Sequence, residues 1–343
     1  MVYLSQPIFQ PASLPFQQCH ASTLVEAPNS DLLAAWFAGT CEGHPDVAIW
    51  LARFRKGKWD TAVKVVEVPG IPLWNPVLFR DRKDRLWLFY KVGPTIPAWT
   101  GAYLRSTDGG FHWSSPTYLP AGLLGPAKNK PITLSNGDIL CGTSAETWQS
   151  WTCWVEISRD EGESWQRCGP IAWPVQPADL QTPVSAFREE PQHQRILPDS
   201  YPGVIQPTLW EYEPGRLKML MRATRQVGFI CQAFSEDSGR TWTAPEPTAL
   251  PNPNSGLDAV RLADGQLALV FNPTQDARSP LAIALSQDNG VTWPFQRLIE
   301  TQPGELSYPS IIQTSDGLLN LTYTHQRSGI QHVTVDVEWV RSK

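Results

Sequence analysis

The sequence has no excess of positive charge. Lysine and arginine total 28 residues against 33 aspartates and glutamates, and the formal net charge at pH 7 is −5. Binding to nucleic acid or to an anionic membrane surface needs a patch rich in lysine and arginine. We therefore expect neither a nucleic-acid partner nor a membrane partner.

Long apolar runs are also missing. No window reaches the roughly 18 consecutive apolar residues of a membrane-spanning helix, and residues 1–20 have neither the basic start nor the apolar stretch of a secretory signal. CxxC spacing is absent from the six cysteines, which are Cys19, Cys41, Cys141, Cys153, Cys168 and Cys231. Scattered cysteines of this kind are typical of free buried thiols in a reducing compartment. We expect a cytoplasmic protein.

Patterns that bind metals or phosphates are missing too. The six histidines show neither HxH nor HExxH spacing, so the sequence gives no indication of a zinc site. No glycine-rich phosphate loop follows a predicted strand. We expect no metal site and no cofactor.

The sequence is rich in turn-forming and aromatic residues, with 32 prolines, 24 glycines and 16 tryptophans. This mixture favours many short strands over long helices. Hydrophobic residues make up 41% of the chain, which is enough for a sizeable core. We expect residues 1–343 to form a single all-β domain.

A repeated motif, S-x-D-x-G-x-x-W, indicates the architecture. A degenerate copy ends at Trp59, and four good copies follow it, at 106–113 (STDGGFHW), 158–165 (SRDEGESW), 235–242 (SEDSGRTW) and 286–293 (SQDNGVTW). A spacing of about 50 residues, with one insertion of roughly 25, predicts one propeller blade per repeat. In each such Asp-box the aspartate caps backbone amides and the glycine takes a positive φ. The boxes are therefore structural.

A strand–turn–strand signature occurs in six copies, one upstream of each box and one after the last box. Alternating apolar residues flank turns such as NG and DG, which predicts hairpins. Six hairpins predict a six-bladed β-propeller of four-stranded antiparallel blades. The N-terminal stretch and the segment VTVDVEWV (333–340) are expected to supply the outer strands of the last blade and close the ring. A proline-rich insertion at about 166–204 is predicted to be either a lid or a decorated outer strand.

Alternation of strand direction predicts the position of the pocket. The hairpin turns and the Asp-boxes share one face, so the starts of the inner strands and the ends of the second strands meet on the other face. The polar residues at the starts are His20, Asn75, Asn129, Lys130, Gln206, Asp258 and Tyr308. The polar residues at the ends and in the following loops are Glu42, His44, Asp46, Lys91, Glu146, Arg222, Arg225, Asn272, Arg278, His325 and Arg327. Such a ring predicts a pocket for an oxygen-rich ligand with a carboxylate.

On these motifs the chain resembles the sialidase (neuraminidase) superfamily over most of its length. That family binds the substrate carboxylate with three arginines. The resemblance implies that Arg222, which ends the strand after the segment QPTL (206–209), is the second of them. It implies that Arg278, which follows the segment FNP (271–273), is the third. Tyr308, in the segment YPS, is similar to the family's nucleophilic tyrosine.

At its other motif positions the sequence departs from the sialidase pattern. His20 stands where the family has its first arginine, and Gln206 stands where it has a glutamate that assists the tyrosine. Thr324 replaces a further glutamate. The acid/base aspartate is absent from its usual place, although Glu42 and Asp46 lie a few residues further along the same loop. The resemblance thus implies a largely retained carboxylate site with altered catalytic groups.

Three functions fit this pattern. The leading hypothesis is an exo-acting glycoside hydrolase on an acidic sugar, with Tyr308 as nucleophile and Asp46 or Glu42 as acid. The second is a polysaccharide lyase that cleaves uronic-acid glycans by β-elimination, with His20 beside Tyr308. The third is a non-catalytic glycan-binding propeller. In each case the partner is an oligosaccharide or glycan with an acidic sugar, and the predicted contacts are Arg222, Arg278, Gln206, Lys91, Asn129, Lys130, Asp258 and Asn272.

Overall fold

The computed structural model describes residues 1–10, 13–147, 150–174 and 201–342. These residues form six antiparallel sheets, five with four strands and one with a fifth short strand. The sheets are the blades of a six-bladed β-propeller, as the repeat and the hairpins predict.

The first three blades follow one another along the chain after β1 (Tyr3–Pro7). The first blade contains β2 (Gln18–Glu26), β3 (Leu32–Gly39), β4 (Ala48–Arg55), β5 (Lys58–Trp59) and β6 (Val63–Val66). The second contains β7 (Leu73–Arg80), β8 (Leu86–Val92), a 3-10 helix (Ile96–Ala98), β9 (Thr100–Ser106) and β10 (Thr117–Tyr118). The third contains β11 (Ile132–Thr133), β12 (Ile139–Glu146), β13 (Trp151–Ser158) and β14 (Gln166–Ile171).

The last three blades have the same plan. The fourth contains β15 (Val204–Glu213), β16 (Arg216–Ala223), β17 (Phe229–Ser235) and β18 (Glu246–Pro251). The fifth contains β19 (Asp258–Arg261), β20 (Leu267–Phe271), β21 (Leu281–Ser286) and β22 (Phe295–Glu300). The sixth contains β23 (Leu306–Gln313), β24 (Leu319–His325), β25 (Gly329–Val335) and, as its outermost strand, β1; the helix α1 (Val337–Arg341) follows.

The ring is closed by the N-terminal strand, as predicted. β1 pairs antiparallel with β25, with Tyr3 opposite Val335. The other half of that prediction is confirmed only in part, because only the first three residues of VTVDVEWV belong to a strand. β25 ends at Val335, and the side chain of Asp336 accepts a hydrogen bond from the amide of Trp339 and caps α1. An N-cap of this kind turns the chain into a helix despite the alternating valines.

Part of the predicted insertion is regular structure. Residues 166–171 form β14, the outermost strand of the third blade, and β15 begins at Val204. Residues 175–200, where a lid was one of the predictions, lie outside the described residues. Among the helices in the described part of the chain, none is long and apolar enough to cross a membrane.

The second strands of the blades are buried on both faces. Every residue of β3, β8 and β20 is buried, because the neighbouring sheets cover both sides. Full burial of one large apolar side chain contributes roughly 1.5–3 kcal/mol, so packing between blades holds the ring together. All six cysteines are free and five are buried, whereas Cys41 is exposed in the loop after β3.

The Asp-boxes form tight turns between the third and fourth strands. In the fifth blade, Asp288 accepts hydrogen bonds from the amides of Val291 and Thr292 at 3.1 and 2.8 Å, and from the hydroxyl of Thr292 at 2.5 Å. Although burial opposes the change, these bonds lower the pKa of Asp288 to about 2. The boxes therefore have the structural role that the sequence indicates.

An irregularity shared by four inner strands positions the site. In β2, β7, β15 and β23 the pairing register shifts near the start of the strand. At each shift one residue has a positive φ, and these residues are Ala21, Asn75, Gln206 and Tyr308. Because non-glycine residues rarely adopt this conformation, it indicates a local constraint. A bulge changes the direction in which a side chain points. Two of the side chains at these bulges, Gln206 and Tyr308, are hydrogen-bonded to each other.

Candidate functional site

Tyr308 lies at the centre of the candidate site. Its side chain is 8% exposed. Its phenol oxygen accepts a hydrogen bond from Nη1 of Arg222 at 2.7 Å and a second from Nε2 of Gln206 at 3.1 Å. Gln206 is held in place because its own Oε1 accepts a bond from Arg222 at 3.2 Å. The structure thus brings together three of the residues that the sequence predicts.

Arg278 is the second guanidinium at Tyr308. The Cζ atoms of Arg222 and Arg278 lie 5.6 and 5.8 Å from the centroid of the Tyr308 ring. Asn254 links the two arginines, since its Oδ1 accepts a bond from Arg222 at 2.7 Å and its backbone oxygen accepts one from Arg278 at 3.2 Å. Burial, reinforced by the charge of Arg222, lowers the pKa of Arg278.

Glu305 links a third arginine, Arg327, to the same network. Its Oε1 accepts hydrogen bonds from Nη1 of Arg278 and from Nε of Arg327, each at 2.9 Å. Although burial opposes the change, the neighbouring Arg327 and Arg278 lower the pKa of Glu305. Arg327 also forms an ion pair with Glu42. The three guanidinium groups therefore converge on one side of the pocket, with an ionised carboxylate between two of them.

His20 is packed directly against Tyr308. The centroids of the two rings are 4.1 Å apart, and His20 is 2% exposed. Its Nδ1 is 3.0 Å from the hydroxyl of Thr324, and its Nε2 is buried without a hydrogen-bond partner in the described part of the chain. Burial lowers the pKa of His20 well below its usual value, and the charges of Arg327 and the other surrounding cations lower it further. The imidazole is therefore neutral.

Two predicted acids, Asp46 and Glu42, are hydrogen-bonded to groups other than Tyr308. Asp46 accepts bonds from the backbone amide and the hydroxyl of Thr40, at 2.9 and 2.7 Å, within its own loop. Although burial opposes the change, the hydrogen bonds from Thr40 and His44 lower the pKa of Asp46. Glu42 lies closer to the site, but its carboxylate pairs with Arg327. Both carboxylates thus accept their hydrogen bonds from groups other than Tyr308.

Glu146 is a buried carboxyl at the end of β12. It lies opposite Trp151 in the sheet, whose ring is 5.4 Å from Cζ of Arg222. One carboxyl oxygen accepts a hydrogen bond of 3.0 Å from Ser144. Burial raises the pKa of Glu146, and the charge of Arg222 only partly opposes this effect. Among the candidate acids of the site, Glu146 is the one whose pKa is raised.

The remaining predicted contacts link blades to one another. Lys130 and Asp258 form a buried ion pair at 2.8 Å. Asn129 donates to the backbone oxygen of Gln206 at 3.0 Å. Lys91 donates to the backbone oxygen of Pro126 at 2.8 Å, and Asn272 to that of Leu306 at 3.0 Å. These side chains support the walls of the pocket, and their hydrogen bonds are used within the protein.

Three important residues were not among the predicted contacts: Lys128, Asn254 and Glu305. Lys128 and Asn254 precede inner strands, in the segments KNK and NPNSG, and Glu305 lies three residues before Tyr308. Polar residues just before an inner strand are a signal that could have identified them. The predicted contacts are the polar residues at the strand starts, whereas these three residues lie a few positions upstream.

Within residues 1–10, 13–147, 150–174 and 201–342, no group of three or more histidine, cysteine, aspartate or glutamate side chains is placed to bind a metal ion. The residues around Tyr308 are instead cations and amides. This arrangement can bind a carboxylate, hold a negatively charged phenol oxygen and keep a neutral imidazole beside it.

Comparison with known proteins agrees with this fold. The profile of the family described as BNR repeat-like domain matches residues 30–321, which is most of the chain. A curated sialidase from Micromonospora viridifaciens is 27% identical over 140 residues. That match covers 38% of this chain and 21% of the sialidase, so the chain matches about one fifth of that relative's length.

Solved structures share the fold. The Hadza microbial sialidase Hz136 superposes with a TM-score of 0.77 at 17% identity, over 98% of this chain and 69% of the other. A protein of unknown function from Dyadobacter fermentans gives 0.76 at 18% identity, over 96% and 97%. The NanB sialidase from Streptococcus pneumoniae gives 0.74 at 12% identity, over 98% and 71%. The chain belongs to the BNR repeat-like domain family and is a sialidase-like six-bladed β-propeller.

Proposed function

We propose that the protein is a glycoside hydrolase that removes a carboxylated sugar from the end of a glycan, with Tyr308 as its nucleophile. The observation that carries this proposal is the pair of hydrogen bonds that the phenol oxygen accepts from Arg222 and Gln206, at 2.7 and 3.1 Å. Two donors on one phenol oxygen stabilise negative charge there. A phenolate is a much stronger nucleophile than a phenol.

The substrate carboxylate is assigned to Arg222 and Arg278. Both guanidinium groups face the ring of Tyr308, at 5.6 and 5.8 Å from its centroid. Each charge-assisted hydrogen bond to a carboxylate contributes roughly 1.5–3 kcal/mol. A carboxylate bound between these arginines brings the adjacent anomeric carbon towards the phenol oxygen, which is the orientation that nucleophilic attack requires.

The proposed reaction has two steps. Tyr308 reacts as the phenolate, after losing its proton to solvent. Its oxygen attacks the anomeric carbon while the bond to the leaving oxygen breaks, and the leaving oxygen takes the proton of Glu146. Water then attacks the same carbon, gives a proton to Glu146 and releases Tyr308 and the free sugar. We assign this role to Glu146 because burial raises its pKa, whereas hydrogen bonds lower the pKa of Asp46 and the carboxylate of Glu42 pairs with Arg327.

A second candidate, β-elimination on a uronic acid, is favoured by His20. Its ring is 4.1 Å from that of Tyr308, and its Nε2 has no partner within the described residues. In this reaction the arginines neutralise the uronate carboxylate, neutral His20 removes the proton next to it, and Tyr308 protonates the departing oxygen. No water is consumed, and the product contains a new carbon–carbon double bond.

One experiment separates these chemistries from binding alone. The protein is incubated with sialylated glycans, with uronate-terminated glycans and with glycans that contain internal 4-O-linked uronates, and released sugar is measured together with the ultraviolet absorbance of an unsaturated uronate. We expect free sugar and no absorbance change. Tyr308→Phe is expected to abolish release, while Tyr118→Phe, a matched change at an exposed tyrosine of β10, leaves it unchanged.

The opposite results are equally clear. An unsaturated product would establish the elimination reaction instead. Saturable glycan binding without any product, in wild type and Tyr308→Phe alike, would establish a binding protein. Full activity of Tyr308→Phe would remove Tyr308 from the mechanism.

A further inference from the structure

Lys128 is a buried lysine near the ring of Tyr308. It is 4% exposed and precedes the inner strand of the third blade. Its Nζ donates to Oδ1 of Asn129 at 2.9 Å, to the backbone oxygen of Leu257 at 3.3 Å and to the backbone oxygen of Pro309. One ammonium group therefore ties the third, fifth and sixth blades together at the axis.

One of these acceptors belongs to the residue directly after Tyr308. Tyr308 has a φ of 52° at the bulge of β23, a conformation that a non-glycine residue keeps when its surroundings fix it. The bond from Lys128 to the carbonyl of Pro309 fixes the peptide group between residues 309 and 310, one residue beyond Tyr308. Nζ of Lys128 is also 6.0 Å from the centroid of the Tyr308 ring. The lysine thus holds the backbone next to Tyr308 and lies near its ring.

Gly256 shows how closely these groups are packed. A Cβ atom added there would lie 3.4 Å from Cε of Lys128, and 3.5 Å from both Oε1 of Gln206 and Cδ2 of Tyr308. These are ordinary van der Waals distances, so the three side chains converge on the backbone at Gly256. Lys128 is therefore packed into the candidate site.

The charge of Lys128 is set by competing effects. Burial lowers its pKa to about 7, Asp258 opposes this effect, and Lys130 and Arg222 add to it. Lys128 in turn acts electrostatically on His20. A neutral amine has two protons to donate and an ammonium has three. The three acceptors around Nζ consequently favour the ammonium form.

We propose that Lys128 is a positioning residue for Tyr308, which fixes the strained turn at residues 308–309 and favours the negatively charged phenol oxygen through its positive charge. This inference rests on the proposed role of Tyr308 as nucleophile. It adds a further basic side chain, 6.0 Å from the centroid of the Tyr308 ring, to the two arginines.

The test is the ionisation of Tyr308, which requires no substrate. Ultraviolet difference spectra of the protein and of its Tyr308→Phe variant, recorded across alkaline pH, isolate this one phenol. Because the pKa of Lys128 is about 7, its charge is tested by comparing Lys128→Arg, which stays positive at alkaline pH, with Lys128→Met. We expect the ionisation midpoint of Tyr308 to lie higher in Lys128→Met than in Lys128→Arg by about one unit or more. Equal midpoints in the two variants overturn the proposal.

Turnover supplies the second readout. Lys128→Met is expected to lower kcat at least about tenfold with little change in KM, and a change confined to KM contradicts the inference. If circular dichroism shows that Lys128→Met is unfolded, Lys128→Gln, which retains donors without charge, is titrated in its place. The phenol titration decides the role of Lys128 even if Tyr308→Phe proves fully active, so failure of the proposed function and failure of this inference are distinguishable.

Discussion

Gln206 and Tyr308 occupy equivalent bulges in two different blades, and the side chain of the first donates a hydrogen bond of 3.1 Å to the phenol oxygen of the second. Each has a positive φ and is followed by a proline. An amide can donate to the phenol oxygen but cannot take its proton. In the proposed mechanism the tyrosine therefore depends on nearby positive charge for its activation.

Gln206→Glu is expected to raise the rate of hydrolysis about tenfold or more. A carboxylate at this position would accept the phenol proton directly, and positioned general bases contribute roughly 10²–10⁴-fold. Arg222, 3.2 Å from the amide oxygen, would stabilise the new charge. The measurement is kcat/KM on the best glycan substrate. Gln206→Met is the control and is expected to lower the rate, while a lower rate in both variants would show that the donor itself is needed.

Glu146→Gln is expected to show whether this carboxyl donates the proton to the leaving oxygen. An alkyl leaving group needs that proton, whereas an activated aryl leaving group departs without it. We expect the variant to lose roughly 100-fold or more on a natural glycan and far less on an aryl glycoside of the same sugar. Equal losses on both substrates would assign the role of Glu146 to folding or binding. Ser144→Ala, which removes its hydrogen-bond donor, is the matched control.

His332 is expected to make the protein less stable in acid. Its Nδ1 accepts a hydrogen bond from Nε1 of Trp59 at 3.3 Å, and its Nε2 is 3.0 Å from Oδ1 of Asn320. Burial lowers its pKa from 6.5 to about 4. Between these values the unfolded chain binds a proton that the folded protein does not. Stability therefore rises with pH in this window and is lost as pH falls from 6.5 towards 4.

The His332 contribution is of the order of 3 kcal/mol at most. Denaturant unfolding at several pH values measures it, with His332→Gln as the comparison. We expect the difference in unfolding free energy between the two proteins to shrink as the pH falls below 6.5. A difference that stays constant from neutral pH to pH ~4 would show that His332 does not titrate in this way.

Asp288→Ala is expected to destabilise the fifth blade without affecting turnover. The change removes the acceptor of two backbone amides, and losing such a cap costs about 1–2 kcal/mol. The box lies on the opposite face from the site. Thermal unfolding should occur at a lower temperature while kcat at low temperature stays the same, and a loss of kcat would contradict the structural role of the box. Asp264→Ala removes an aspartate from a neighbouring hairpin turn on the same face and serves as the control.

The sequence predicts the blades well because their signals are local. An Asp-box or a DG turn fixes its own hairpin, and repetition then fixes the ring. Arg222 and Tyr308 were also predictable, because strand alternation places both at the pocket face. The helix after Asp336 was missed because one capping side chain outweighs an alternating pattern of valines.

The distribution of polar side chains was harder to predict. Lys130, Asp258 and Asn272 lie at strand ends as predicted, but their hydrogen bonds are to neighbouring blades. Whether a polar group at such a position faces the ligand or the next blade depends on contacts between residues far apart in sequence. Lys128 shows the same limit, since its acceptors at 257 and 309 are distant along the chain.

Closure of the ring by β1 and β25 has a consequence during protein synthesis. Residues 3–7 leave the ribosome long before Tyr308, yet they complete the blade that carries it. A growing chain must hold this first strand unpaired until its partner emerges. The pocket is therefore assembled in the last stage of folding, after the other five blades are available to receive the sixth.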